Sequence, residues 1–147
     1  MKRTSLAKDR CPIARSLDAI GDCWSLLIVR DAMRGTCRFS AFQKDLGVAK
    51  NILAVRLRTL VAEGILEEQP ASDGSAYQEY VLTPKGRGLF PIMVALRQWG
   101  EEFSFKPDEE FAVLLDRKTS RPLRKLEIRA QDGRVLQQAD TMVVPVA

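Results

Sequence analysis

The chain of 147 residues contains no histidine. Imidazole is the commonest general acid and base near neutral pH, so acyl transfer through a Ser-His or Cys-His pair is excluded. Cysteine is scarce: Cys11, Cys23 and Cys37 are odd in number, widely spaced and contain no CxxC pair. That pattern suits neither a secreted disulfide framework nor a structural zinc site. Also missing is any run approaching the roughly 18 uninterrupted apolar residues of a membrane span. The opening, MKRTSLAKDRCPIARS, is basic but lacks the apolar stretch of a secretory signal. There is no internal repeat and no low-complexity tract. These absences predict a cytoplasmic protein with no membrane partner and no cofactor.

What is present suffices for a core. The chain is 46% hydrophobic, with a mildly basic net charge of +4 that is compatible with a polyanionic partner. Its length fits one domain with an appendage. Pro12 suits a first helical position, which places Cys11 at the N-cap; Ile13, Leu17 and Ile20 then form one apolar stripe before Gly21. WSLLIVRDAM is apolar almost all round, the mark of a central buried helix that Gly35 closes. Asp18 and Asp22, one helical turn apart, could act as a carboxylate pair, but solvated helix charges are the expectation.

The richest stretch is RFSAFQKDLGVAKNILAVRLRTLVAEGIL, residues 38–66, followed by EEQPASDGSAYQEYVLT. Ser40 caps a short helix that buries Phe42 and Leu46, and Gly47-Val48-Ala49 is a turn. In the next helix Leu53, Leu57, Leu60 and Val61 fall within roughly 100° of each other. Asn51, Val55, Arg58 and Ala62 lie opposite, with Ile52 and Thr59 at the edge and Gly64 as C-cap. Ile65 to Gln69 and Tyr77 to Leu82 read as strands around a Ser72–Ser75 turn. Helix, turn, helix and hairpin in this order predict a winged helix-turn-helix, which sets one helix in the DNA major groove.

Thr83 and Pro84 open a long helix whose apolar positions Leu89, Ile92, Met93, Leu96, Trp99, Gly100 and Phe103 share a face, with Pro91 expected to kink or split it. Beyond a linker at Lys106-Pro107-Asp108, the segments FAVLLD, KLEIRAQDGRVL and MVVPV read as short strands, with Asp132-Gly133 as a hairpin turn. The fold class is therefore α+β and mainly helical. Residues 1–106 are expected to form the DNA-binding and dimerisation domain, and 107–147 a β-rich C-terminal extension.

Amides and guanidiniums read bases: Asn pairs with adenine and Arg with guanine, each in a bidentate way. Asn51 stands near the N-terminus of the second helix, where base edges are met. Arg56 and Arg58 suit bases or phosphate, Val55 and Thr59 share the outer surface, and Lys50, Arg38 and Ser40 suit the DNA backbone. An amphipathic surface helix with solvated arginines is the plain alternative. The wing tip, Ser72 to Ala76, carries no cation and offers at best hydroxyls and amides to phosphate. A thiolate at Cys11 would be favoured by the helix dipole and by Arg10 and Arg15, which makes it a redox-sensing candidate beside the bland reading of a small buried residue. Cys23 reads as inert core, and Cys37, between Arg34 and Arg38, as loop.

CPIARSLDAIGDCWSLLIVRDAMRGTCRFSAFQKDLGVAKNILAVRLRTLVAEGIL followed by EYVLTPKGRGL resembles the HxlR-type winged helix-turn-helix transcriptional regulators, relatives of the MarR type. Cys-Pro near the start, Gly-x-x-Trp, Gly-x-x-Arg-Phe, Asn-x-Leu-x-x-Arg-Leu and Tyr-x-Leu-Thr-x-x-Gly carry the likeness from Cys11 to about Trp99. The resemblance implies a homodimer built from the first and last helices, here through Ile13, Leu17, Leu96, Trp99 and Phe103. It implies recognition and phosphate roles for Asn51, Arg56 and Arg58, and in some members oxidant or electrophile sensing at the position of Cys11. A cysteine at position 23 departs from the usual basic or polar residue.

The expected function is sequence-specific binding of double-stranded DNA at a pseudo-palindromic operator, as a repressor. Two alternatives stand beside it: control by a small-molecule effector near Trp99, Phe103 and Phe111, and a winged-helix module that binds protein. A thiol peroxidase using Cys11 lacks both a histidine and a paired resolving cysteine.

Overall fold

The computed structural model describes residues 4–147. They fall into two compact units, divided between Phe90 and Pro91.

In the first unit, α1 spans Pro12–Ile20, with proline in its first turn and Gly21 closing it by an N–H···O bond to Leu17. α2 spans Cys23–Met33 and is capped by Asp22, whose carboxylate accepts from the Ser25 N–H. α3 (Phe39–Leu46) and α4 (Lys50–Ala62) are joined by Gly47-Val48-Ala49. Gly47 takes φ +64° there, a left-handed conformation that a side chain resists, and Val48 turns inward to be buried. β1 (Leu66–Pro70) and β2 (Gln78–Leu82) pair antiparallel, with Leu66 opposite Leu82 and Pro70 opposite Gln78. The short α5, Pro84–Arg87, follows.

One apolar cluster holds these elements. Ile28 and Val29 of α2, Phe42 of α3, Leu53, Leu57 and Leu60 of α4, and Ile65 and Leu66 at the entry to β1 are all at most 2% exposed. Each such side chain contributes roughly 1.5–3 kcal/mol on burial, so the angle between α3 and α4 is set by the core and not by the turn alone. Close backbone approach locks the hairpin to α5. Thr83 donates its hydroxyl to Gly64 O at 2.5 Å and accepts from the Gly86 N–H. A Cβ on Gly86 would lie 2.2 Å from Ile65 O, so only glycine fits there.

Several expectations change. The N-cap of α3 is Arg38, and Ser40 sits two residues inside the helix with its side chain in solvent. Glu63 is the C-cap of α4, and Gly64 is the left-handed residue beyond it. Asp18 and Asp22 are not simply solvated: Asp18 accepts from the Leu6 N–H at 2.8 Å, and Asp22 caps α2. The apolar central helix also carries a buried acid, Asp31, paired with Arg30 at 2.8 Å. The long helix is split, though not at Pro91. α5 ends on Gly88, and α6 spans Phe90–Phe103 with Pro91 in its first turn, where the missing N–H costs nothing.

In the second unit, Val94 of α6 is the one buried residue among those described. The strands expected after Phe111 reduce to two isolated antiparallel bridges, Leu115 with Pro122 and Arg129 with Val135, and MVVPV forms none. Alternation gave these segments strand character, but they have no neighbouring strand to complete a ladder. Instead α6 side chains hold them: Gln98 donates to Arg124 O and accepts from the Leu126 N–H, and Arg97 donates to Ala112 O. A small cleft lined by Val94, Arg97, Glu101, Val113 and Leu123 has room for about 40 Å³. Ligand pockets run to roughly 300–1,000 Å³.

Candidate nucleic-acid interface

α4 has two distinct sides. Leu53, Leu57 and Leu60 are at most 1% exposed, and they hold the helix against the core. Lys50, Asn51, Ile52, Val55, Arg58 and Ala62 are exposed on the remainder. The presented set is one amide, one guanidinium, one ammonium and small apolar groups, the chemistry that base edges and thymine methyls can meet. Thr59 is half-buried and donates its hydroxyl to Val55 O at 3.0 Å, so that donor is occupied.

The other two arginines expected at the interface are engaged within the chain. Arg56 Nη2 lies 2.9 Å from Asp22 Oδ2. Asp22 therefore serves two helices at once, its Oδ1 capping α2 and its Oδ2 holding α4. Arg38 reaches across 35 positions to the wing: its Nη2 is 2.5 Å from Asp73 Oδ2, 3.5 Å from Ser75 Oγ and 3.8 Å from Glu79 Oε1. The guanidinium also sits 5.6 Å from the centre of the Tyr77 ring. Of the eight DNA-facing candidates, then, Lys50, Asn51, Val55 and Arg58 share one exposed surface and Ser40 is exposed on α3, while Thr59, Arg56 and Arg38 have intramolecular partners.

The wing tip is an ordered acidic turn. Asp73 accepts from the Ser75 N–H at 2.9 Å; that bond, with the Ser75 hydroxyl and Arg38 beside it, holds the Asp73 carboxyl down to about 2. Glu79, 8% exposed, accepts from both the N–H and the hydroxyl of Ser72, which lower its pKa despite burial. Beneath them lies Cys37. Burial raises the pKa of its thiol first, and the adjacent Glu79 carboxylate raises it further. Cys37 lies in the α2–α3 loop as expected, half-buried beside Glu79, which disfavours its thiolate.

The other two thiols are exposed. Cys11 is the N-cap of α1, but its sulfur makes no capping bond; its N–H donates to Asp9 Oδ1 at 2.8 Å. Arg15 donates to Asp9 O. Cys23 opens α2 in solvent, so the core placement expected for it is wrong: Trp24 turns inward and leaves position 23 outside. Its neighbour Asp22 was legible as a cap, since an Asp directly before an apolar run is a helix-start signal. The pairing of Asp22 with Arg56, and of Glu79 with Arg38, left no local mark in the sequence.

Ile13, Leu17, Leu96, Trp99 and Phe103 are each 48–70% exposed. The Trp99 and Phe103 rings lie 5.6 Å apart, tilted by 50°, so α6 carries an apolar face that its own unit does not cover.

Comparison with known proteins adds the following. A family model described as HxlR-like helix-turn-helix matches residues 19–108, well over half the chain. Rv3095 of Mycobacterium tuberculosis, an uncharacterised HTH-type transcriptional regulator, is 40% identical over 96 residues, covering 65% of this chain and 61% of that protein. The chain thus spans about three fifths of that relative's length. Among solved structures, the candidate transcription factor PA1607 is 55% identical with a TM-score of 0.92, covering 96% of this chain and 99% of that one. HypR, a redox regulator solved in its oxidised form, is 32% identical with a TM-score of 0.57, covering 63% of this chain and 96% of that one.

Proposed function

Since this chain belongs to the HxlR-like helix-turn-helix family of transcriptional regulators, we propose that it is a homodimeric repressor that reads a pseudo-palindromic operator with the outer face of α4. The observation that carries this reading is the division of α4. The side bearing Leu53, Leu57 and Leu60 is wholly buried, and the opposite side presents Asn51, Val55 and Arg58 to solvent.

Asn51 and Arg58 read base edges, Val55 meets apolar groups in the groove, and Lys50 and Ser40 neutralise or bond phosphate. Arg56 sets the angle of α4 through Asp22 and meets no base. Two half-sites one helical turn apart require two copies of α4 related by a two-fold axis. The exposed apolar positions on α1 and α6 support such a dimer.

The test is selection of bound sequences from a random duplex pool with the protein kept reduced. An inverted repeat with half-sites about one turn apart is the expected product. Salt-sensitive background alone would leave a winged helix that binds protein. Within a selected site, Asn51→Ala should cost about 1–3 kcal/mol and relax preference at one position; unchanged selectivity would remove Asn51 from the reading set.

Cys11 is the second element of the proposal. It is exposed and stands at the start of a helix proposed to form the dimer, and HypR, to which this chain is similar, is a redox regulator by name. Oxidation or alkylation there would alter half-site spacing and release DNA. Cys11→Ser protein should hold DNA under oxidant; if it still lets go, Cys11 is not the sensor. The exposed Cys23 makes a Cys23→Ser control necessary.

A further inference from the structure

The wing has no cation of its own between Ser72 and Ala76, yet the hairpin carries four carboxylates, of which Asp73 and Glu79 lie toward its tip, in the element that approaches DNA in this fold. A bare acidic wing would be repelled by phosphate. Arg38 meets both acids from outside the hairpin. It is the N-cap residue of α3 and makes no capping bond there, so its side chain is committed to the wing. Its partners are graded: Asp73 at 2.5 Å, Ser75 at 3.5 Å, Glu79 at 3.8 Å and the face of Tyr77. The backbone reinforces the contact, since the Tyr80 N–H donates to Cys37 O at 2.7 Å, one residue before Arg38.

We propose that Arg38 is a positioning residue for the wing: its guanidinium ties the Ser72–Ser75 turn to the start of α3, so the hairpin and the helix-turn-helix pair meet DNA as one rigid surface. This rests on the DNA-binding reading above, and it removes Arg38 from the set of direct phosphate contacts. Glu79 is the inner anchor, because its buried carboxylate already holds both polar groups of Ser72. Asp73 is the outer one. A guanidinium suits the site better than an ammonium, since it can bond a carboxylate and lie over an aromatic ring together.

The experiment measures affinity for a duplex selected by the wild-type protein, over a range of salt, for R38A, D73N, R38K and the R38A/D73N pair. Positioning predicts that R38A and D73N each weaken binding on the order of five- to tenfold, the scale of one charge-assisted contact. The double variant should be no worse than R38A, and R38K should fail to restore affinity. A direct phosphate contact predicts the opposite sign: D73N frees the guanidinium and binds tighter, R38A lowers the salt slope by about 0.9, and R38K rescues. That result overturns the proposal. Should R38A fold poorly, D73N carries the decision alone, because an amide for a carboxylate at an exposed turn leaves the core untouched. Should the wild type select no duplex, the DNA-binding reading falls by itself. Hydrogen exchange at the Ser75 and Gly74 amides then judges the latch: faster exchange in R38A supports it, and equal exchange overturns it.

Discussion

The two units of this chain are ordered by different means. Up to Phe90, three helices and a hairpin close over Ile28, Val29, Phe42, Leu53, Leu57 and Leu60, all at most 1% exposed. From Pro91 onward Val94 alone is buried, while Trp99, Phe103, Ile128 and the run Met142, Val143, Val144 and Val146 stand 62–91% exposed. What shapes the second unit is hydrogen bonding. Asp116 accepts from the Lys118 N–H and the Thr119 hydroxyl, Gln137 and Asp140 cap one another's turn, and the Gln98 amide grips the chain at Arg124 and Leu126. The contrast teaches that hydrogen bonds can specify a path without supplying the apolar burial that makes it stable. A segment so built gains most from a surface that covers it, which is why the dimer proposal includes the apolar face of α6 along with that of α1.

The largest effects should separate the units. Phe42→Ala should cost about 3–5 kcal/mol in denaturant unfolding, since a wholly buried ring leaves a cavity between α3 and the core. Removing residues 142–147 should leave that same transition unmoved. If the deletion destabilises it comparably, the tail belongs to the core and the contrast is false.

Next comes Trp99→Ala. At 62% exposure its loss should change unfolding of the dilute protein by within about 0.5 kcal/mol. In analytical ultracentrifugation the same variant should shift toward monomer at concentrations where the wild type is paired. Unchanged association would place the dimer contact elsewhere. Smaller again is Gln98→Ala, which removes both bonds that hold residues 124–126. Amide exchange at Leu126 should quicken several-fold while the α4 amides stay as protected as before.

Acid should produce the smallest difference, because here the two regions behave alike. Asp73 in the wing is held down to about 2, and Asp116 and Asp132 are also lowered by the N–H, hydroxyl and guanidinium groups around them. A folded-state value below the ordinary carboxylate value favours the fold above that range and loses its contribution as protons are added. Protection of the Ser75, Lys118 and Arg134 amides, taken relative to the intrinsic exchange rate at each pH, should therefore be flat from pH 8 to about 5 and fall as pH drops below about 4. A loss of protection near neutrality would mean that other groups hold these turns.

The sequence was readable wherever the deciding signal was local. Pro12, Gly47 and the Ser-Asp-Gly-Ser turn mark their boundaries by backbone chemistry, and the 3.6-residue period separates Leu53, Leu57 and Leu60 from Asn51, Val55 and Arg58 before any tertiary fact is known. Family membership rested on such signals too. What could not be read depended on partners far along the chain. Arg38 and Arg56 look like any basic residue near a reading helix, and only the fold shows each opposite a carboxylate more than 30 positions away. Ser40 is the better capping residue by type, but position 38 takes the cap, with its side chain committed to the wing. The C-terminal segments alternate correctly for strands, yet alternation says nothing about whether a neighbour exists.

The two-handed carboxylate of Asp22 has a consequence for how sharply α4 can discriminate. Turning a helix by about 10° about its own axis sweeps side chains at a radius of roughly 6 Å through ~1 Å, more than a bidentate contact to a base tolerates. Asp22 opposes such a turn, because its Oδ1 is fixed by the start of α2 while its Oδ2 holds Arg56 on α4. On the proposed reading, the azimuth of the outer face of α4 is thus referenced to α2, which lies outside the residues proposed to meet DNA. An amide at position 22 would keep the cap and release the angle, and selection from a random pool should then return the same site with a blurred preference at every base proposed to meet α4.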